Sequence, residues 1–191
     1  GAPNDSVLAL SGGPICDVFA RGPFAIVYGT RTTPAPGVDS KPLQEDTVLH
    51  PPQSDATTAR QVADEWQHRF AGEPRVLADS ALTEGMARSL NLLLVGTPDS
   101  NPWIARWAPR LSVHWEDGAV IVNNKGYRAE KFGIVVAVGN PEFPGRSLVF
   151  CTAMQNRAAS ARRSLFTAGS DTYIVSPGVK GLEIGPLLGG P

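Results

Sequence analysis

Four stretches of this chain are apolar almost without interruption: FAIVYGT at 24–30, NLLLVG at 91–96, FGIVVAVGN at 132–140 and SLVFCTAM at 147–154. Each has the length of a strand, and none alternates apolar with polar residues. A strand with one face in water shows that alternation. One that lacks it is covered on both faces, as in a parallel sheet between helical layers. The four runs therefore read as strands buried on both faces.

The segments between the runs supply the covering helices. GPICDVFARG at 13–22 places Pro14 in the first turn, puts Ile15, Val18 and Phe19 on one face, and stops at Gly22. From Ser54 or Asp55, either of which can cap, Ala59, Val62, Trp66 and Phe70 recur at spacings of three and four until Gly72. Thr83 caps one or two turns carrying Met86 and Leu90. Asn101 caps a helix that opens at Pro102 and buries Trp103, Ile104, Trp107 and Leu111. Residues 155–169 read as a helix with a small Ala face, ending at Gly169. PRVLADS (74–80) and TYIVSP (172–177) read as further strands. Asp117-Gly118 is a two-residue hairpin signal inside 112–124, and VVAVGNPEFPGRSLVF reads as a local antiparallel pair. Residues 31–54 hold no period and read as a long surface loop.

Strands alternating with helices predict a single α/β domain over residues 1–191: a three-layer, flavodoxin- or Rossmann-like arrangement, its sheet mostly parallel, with a hairpin inserted near 112–124. The core is expected over about residues 12–177, with 178–191 a peripheral tail. The chain is long enough for one well-buried core, and two would be tight. Its 17 Lys and Arg nearly balance its 18 Asp and Glu, a net charge of −1. That balance offers nothing to nucleic acid or to an anionic membrane surface. No apolar run nears the roughly 20 residues of a membrane-spanning helix, so no membrane insertion is expected.

In an open α/β sheet, ligands settle beyond the C-terminal ends of the strands. The turns assigned there are Tyr28-Gly29-Thr30, Gly96 to Asn101, and Gly139-Asn140-Pro141, making Thr30, Asp99, Ser100, Asn101 and Asn140 the candidate polar ligand contacts. The 96–101 turn precedes a helix but matches neither phosphate-binding glycine motif. It carries no Lys, and Asp99 would repel a phosphate. The structural reading, in which Asn101 caps the helix and Pro102 opens it, is the simpler one.

Signatures of catalysis are absent from the sequence, and no catalytic residue is assigned. There is no G-x-S-x-G elbow, and Ser100 lies between two prolines in P-D-S-N-P. Cys16 and Cys151 form no CxxC motif; they are either one long-range disulfide or two buried thiols. His50, His68 and His114 are scattered, so no metal site or cofactor is expected. Asp79, Glu84, Glu116, Asp117, Glu130 and Glu142 sit at predicted turns or edges, where acidic residues are ordinary. Trp103 and Trp107 read as core. Trp115, with Tyr127, is the one aromatic pair placed to offer a sugar platform, and Arg157, Arg162 and Arg163 form a small basic helix face.

Taken together, GGPICDVFARGPFAIVYGT, NLLLVGTPDSNPWIAR, YRAEKFGIVVAVGNPEFPGRSLVF and DTYIVSP resemble the accessory α/β domain of multidomain bacterial esterases of the prolyl-oligopeptidase-like group. The likeness is carried by Gly13 to Phe19, by Gly96 to Asn101 and by Gly139 to Pro141, in that order along residues 12–177. Gly139 stands where the pattern has a Pro. The resemblance implies a Ser-His-Asp machinery in a different domain and none in this one. It implies a non-catalytic module of a secreted, extracytoplasmic hydrolase, serving interdomain packing or ligand docking beside a catalytic domain. Two other readings stand next to it: an independent small-molecule binder or enzyme with its pocket at the strand ends, and a carbohydrate-binding module.

Overall fold

The computed structural model describes residues 15–20, 22–31, 54–70, 72–128, 133–152, 173–175 and 183–185. Most of the expected long loop, the 155–169 helix with Arg157, Arg162 and Arg163, His50 and Glu130 lie outside them, as does the side chain of Cys16.

Helix α1 (Ile15–Ala20) leads into strand β1 (Phe24–Tyr28). Helix α2 (Asp55–Arg69) returns the chain to β2 (Arg75–Ala78), after which a 3₁₀ turn (Asp79–Ala81) and α3 (Glu84–Ser89) reach β3 (Asn91–Val95). Next come α4 (Pro102–Trp107), a second 3₁₀ turn (Ala108–Arg110), and three short strands, β4 (His114–Glu116), β5 (Ala119–Val122) and β6 (Lys125–Arg128). Strands β7 (Ile134–Gly139), β8 (Ser147–Cys151), β9 (Tyr173–Val175) and β10 (Glu183–Gly185) complete the described chain.

Seven strands form one sheet in the order β10-β9-β7-β8-β3-β1-β2. The pairs β2–β1, β1–β3 and β3–β8 are parallel; β8–β7, β7–β9 and β9–β10 are antiparallel. Following those signs across the sheet, five strands run one way, and only β7 and β10 oppose them. The antiparallel β7–β8 pair is the one expected at 135–150. Residues 183–185 correct the expected tail: they form the sheet's edge strand, paired with β9.

Continuous apolar strands become two separate cores because successive side chains leave opposite faces. Ala25, Val27, Leu92, Leu94, Leu148 and Phe150 face one way, against α3, α4 and the small β4-β5-β6 sheet. Ile26, Leu93, Val95, Val149 and Cys151 face the other, against Ile15, Val18 and Phe19 of α1 and Ala59 and Val62 of α2. All eleven strand residues are 2% exposed or less. Each buried Val, Leu or Ile contributes about 1.5–3 kcal/mol, so burial on both faces holds the two coverings on the sheet in three layers.

Helix ends follow their caps. Ser54 Oγ accepts from the Thr57 amide at 3.2 Å, making Ser54 the cap and Asp55 the first residue of α2. Thr83 accepts from Met86 N and Asn101 from Trp103 N, as their positions predicted. Helix α2 ends at Arg69, before Gly72, because Phe70 is already extended.

The inserted hairpin is a three-stranded antiparallel meander. Asp117-Gly118 turns β4 into β5 with φ of 48° and 74°. Asn123-Asn124 turns β5 into β6 with φ of 51° and 62°. Both are two-residue loops of the left-handed type whose twist matches the flanking strands. In the sequence Asn123-Asn124 reads as the end of a strand. Yet Asn tolerates positive φ better than other non-glycine residues.

Candidate functional site

Parallel strands β2, β1 and β3 deliver their C-terminal ends to one rim of the sheet. The strand order reverses at β1: the chain leaves it for β2 on one side and returns as β3 on the other. This is the crevice where a ligand of an open α/β sheet is expected.

The residues at this rim bind one another. Asp79, immediately after β2 and 4% exposed, accepts from Thr30 N at 3.1 Å and Thr30 Oγ1 at 2.7 Å, tying the end of β2 to the end of β1. It also accepts from Ser80 N at 2.7 Å, and its carbonyl receives the Trp103 indole N–H at 3.1 Å. Asn101 is fully buried and spans the crevice. Its Nδ2 donates to Val27 O of β1 at 3.3 Å and to Val95 O of β3 at 3.2 Å, while its Oδ1 caps α4. Ser100 Oγ accepts from Thr97 N at 2.9 Å inside the turn, and Ser100 O receives Arg31 N at 3.1 Å.

Two glycines let these parts close. A methyl at Gly29 would stand 2.5 Å from Ser100 O and 2.7 Å from an Asp55 carboxylate oxygen. One at Gly96 would fall on that same carboxylate and on the Ser100 hydroxyl. The N-terminus of α2 and the 97–101 turn are thus pressed onto the ends of β1 and β3.

Two groups on the first turns of α2 are not satisfied. Asp55 Oδ2 is shut away from solvent with no hydrogen-bond partner, and one turn along α2 the buried Thr58 Oγ1 is likewise unpartnered. Burial pushes the Asp55 carboxyl above the ordinary aspartate range; the Ser100 hydroxyl beside it works against that, and the charge of Asp79 adds to it. A group whose pKa is higher folded than unfolded contributes stability below its unfolded value and loses it as pH rises through the folded one. Asp55→Asn is therefore expected to be more stable than the parent chain at neutral pH. The gain should shrink as pH falls through the folded pKa of Asp55, which urea midpoints across about pH 3–8 measure. A variant less stable than the parent at neutral pH would show that the ionised carboxylate is well accommodated.

The predicted contacts fare differently. Thr30, Ser100 and Asn101 meet at this rim, although Asn101 has committed its side chain to the backbone. Asp99 is exposed at the tip of the turn. Asn140 does not belong here. Because β7 runs against β8, its C-terminal end lies at the start of β8, where Gly139 pairs with Ser147, at the opposite end of the strands. There Asn140 Oδ1 accepts from Glu142 N at 2.9 Å and Phe143 N at 3.0 Å and caps the turn. The sequence presents Asp55 only as a possible cap and Asp79 only as an ordinary turn residue. The available signal was position: Asp79 directly follows a predicted strand, and Asp55 opens the helix that follows another.

Trp115 and Tyr127 form no surface platform. Tyr127 is 5% exposed in the core, and Trp115 sets its ring edge to face with Phe150 at 5.3 Å, its indole nitrogen buried. Trp107 is fully buried, with Nε1 donating to Glu142 at 2.9 Å, and half-buried Trp103 packs beside it. Cys151 is fully buried on the inner face of β8. His68 is exposed and bonds the Asp64 carbonyl at 2.7 Å; His114 is exposed on β4. Among the described residues no three His, Cys, Asp or Glu side chains converge as a metal site would need, and no helix is long and apolar enough to cross a membrane.

Comparison with known proteins matches no family model, no curated protein and no solved structure.

Proposed function

We propose that this chain is a non-catalytic α/β module, flavodoxin-like in its parallel half, that accompanies a catalytic domain of the serine-hydrolase type in an extracytoplasmic protein. Its role is packing or docking between domains. The strand order β2-β1-β3-β8 supports the flavodoxin-like reading. One observation carries the functional reading: the crevice at the strand ends is occupied by the chain's own Asn101, which bonds both of its walls. A ligand entering there would have to displace two buried hydrogen bonds and the cap of α4. The likeness of Gly13–Phe19 and Gly96–Asn101 to the accessory domains of prolyl-oligopeptidase-like esterases supplies the partner.

The test is hydrolysis of p-nitrophenyl esters by the purified chain. The expected rate equals the buffer blank, and Ser100→Ala and Cys151→Ala leave it there. Ester turnover abolished by either substitution would overturn the module reading.

A further inference from the structure

At the end of the sheet opposite the plugged crevice, four arginines gather around the turn between β7 and β8. Arg106 answers the two carboxylates there, bridging Glu84 and Glu142 and lying over the rings of Trp103 and Trp107. Glu142 is held below the usual glutamate range by the Trp107 indole N–H first and by Arg106 second. The other three guanidinium groups bind something other than a carboxylate. Arg110 donates to Pro141 O at 2.9 Å, Arg146 Nε donates to Arg88 O at 3.2 Å, and Arg88 lies 5.1 Å from the centre of the Phe143 ring. Among the described residues, no carboxylate comes within ion-pair distance of Arg88, Arg110 or Arg146, although Glu142 feels the field of Arg110. Among the described residues, four positive charges against two negative leave a local surplus of two, on a chain whose net charge is −1.

We propose that Arg88, Arg110 and Arg146 form the surface on which this chain docks an acidic protein segment. The inference rests on the docking role proposed above and names the chemistry of the partner. Arginine is enriched at protein interfaces, and its planar fork pairs with a carboxylate through two bonds at once. These three side chains are already anchored to a carbonyl or a ring, so less rotamer freedom is lost on binding. The flanking Glu84 and Glu142 disfavour a continuous phosphate backbone, whereas a peptide can place its carboxylates one at a time.

The experiment follows a fluorescein-labelled glutamate-rich peptide by anisotropy at low and high salt, with the full chain. Binding is expected at low salt and is lost at high salt. R88E/R110E/R146E should weaken it at least about tenfold, since like charges then face one another. R88Q/R110Q/R146Q should weaken it less, and R31E/R60E/R75E, the same charge change on other exposed arginines, should leave it within about twofold. Circular dichroism establishes that each variant is folded. No binding at low salt, equal loss in both charge-reversed variants, or tighter binding of oligothymidine through the same three residues would overturn the proposal. None of these results depends on whether the chain hydrolyses esters, so this inference and the proposed function can fail separately.

Discussion

Replacing Asn101 by Asp is expected to destabilise the fold by about 4 kcal/mol, more than replacing it by Ala at about 2–3 kcal/mol. The order matters more than the values. Asn101 makes two kinds of bond: its oxygen accepts from Trp103 N, and its amide nitrogen donates to Val27 O and Val95 O. Alanine loses the cap, worth about 1 kcal/mol, and takes a donor from two buried carbonyls. Val95 O retains Gly29 N as a donor, which limits that loss. Aspartate keeps the cap and would be the better residue if capping were the whole role. It puts carboxylate oxygens against the two carbonyls in a site with no exposure to water, so both bonds become repulsive. Urea unfolding of the three proteins decides the matter. If Asp is tolerated better than Ala, Asn101 is a helix cap only, and the crevice is not held shut by it.

Gly96→Ala is expected to cost about 3–5 kcal/mol, and Gly72→Ala only about 1 kcal/mol. The pair separates two causes. Both glycines hold positive φ, 122° and 128°, which an L-residue adopts only under strain. A methyl at Gly72 meets nothing within 4 Å, while one at Gly96 meets the Asp55 carboxylate and the Ser100 hydroxyl. The difference between the two costs therefore measures how tightly the α2 N-terminus and the 97–101 turn seal the strand ends. Costs within about 1 kcal/mol of each other would mean that the seal yields easily. The second reading of the crevice, as a small-molecule pocket, would then regain its footing.

Both experiments concern groups that local pattern described unequally. The cap at Asn101 was legible because Asn followed by Pro before an apolar run has a local cause. Its two bonds across the crevice were not, since Val27 is 74 positions away. Asp79 reads as an ordinary turn residue for the same reason; its partner Thr30 lies 49 positions earlier. Asn140 reads as a residue of the crevice, and the fold puts it at the other end of the strands. An apolar strand reads the same in either direction, and only its neighbours decide which way it runs. Trp115 was a candidate for the surface because it alternates with His114. The alternation is real, exposed at His114 and Glu116 and half-buried between them, but its inner face lies on Phe150.

By itself the sequence determined most of the described elements and their layers: long uninterrupted apolar runs must be covered on both sides, and caps act within a few residues of the helix they start. The tertiary structure alone decided strand direction, the third strand of the meander, the edge role of residues 183–185 and the meeting of Asp55, Asp79, Ser100 and Asn101 at one rim. Those features arise from pairings between residues far apart in the chain, and a local pattern of hydrophobicity carries no record of which distant partner completes it.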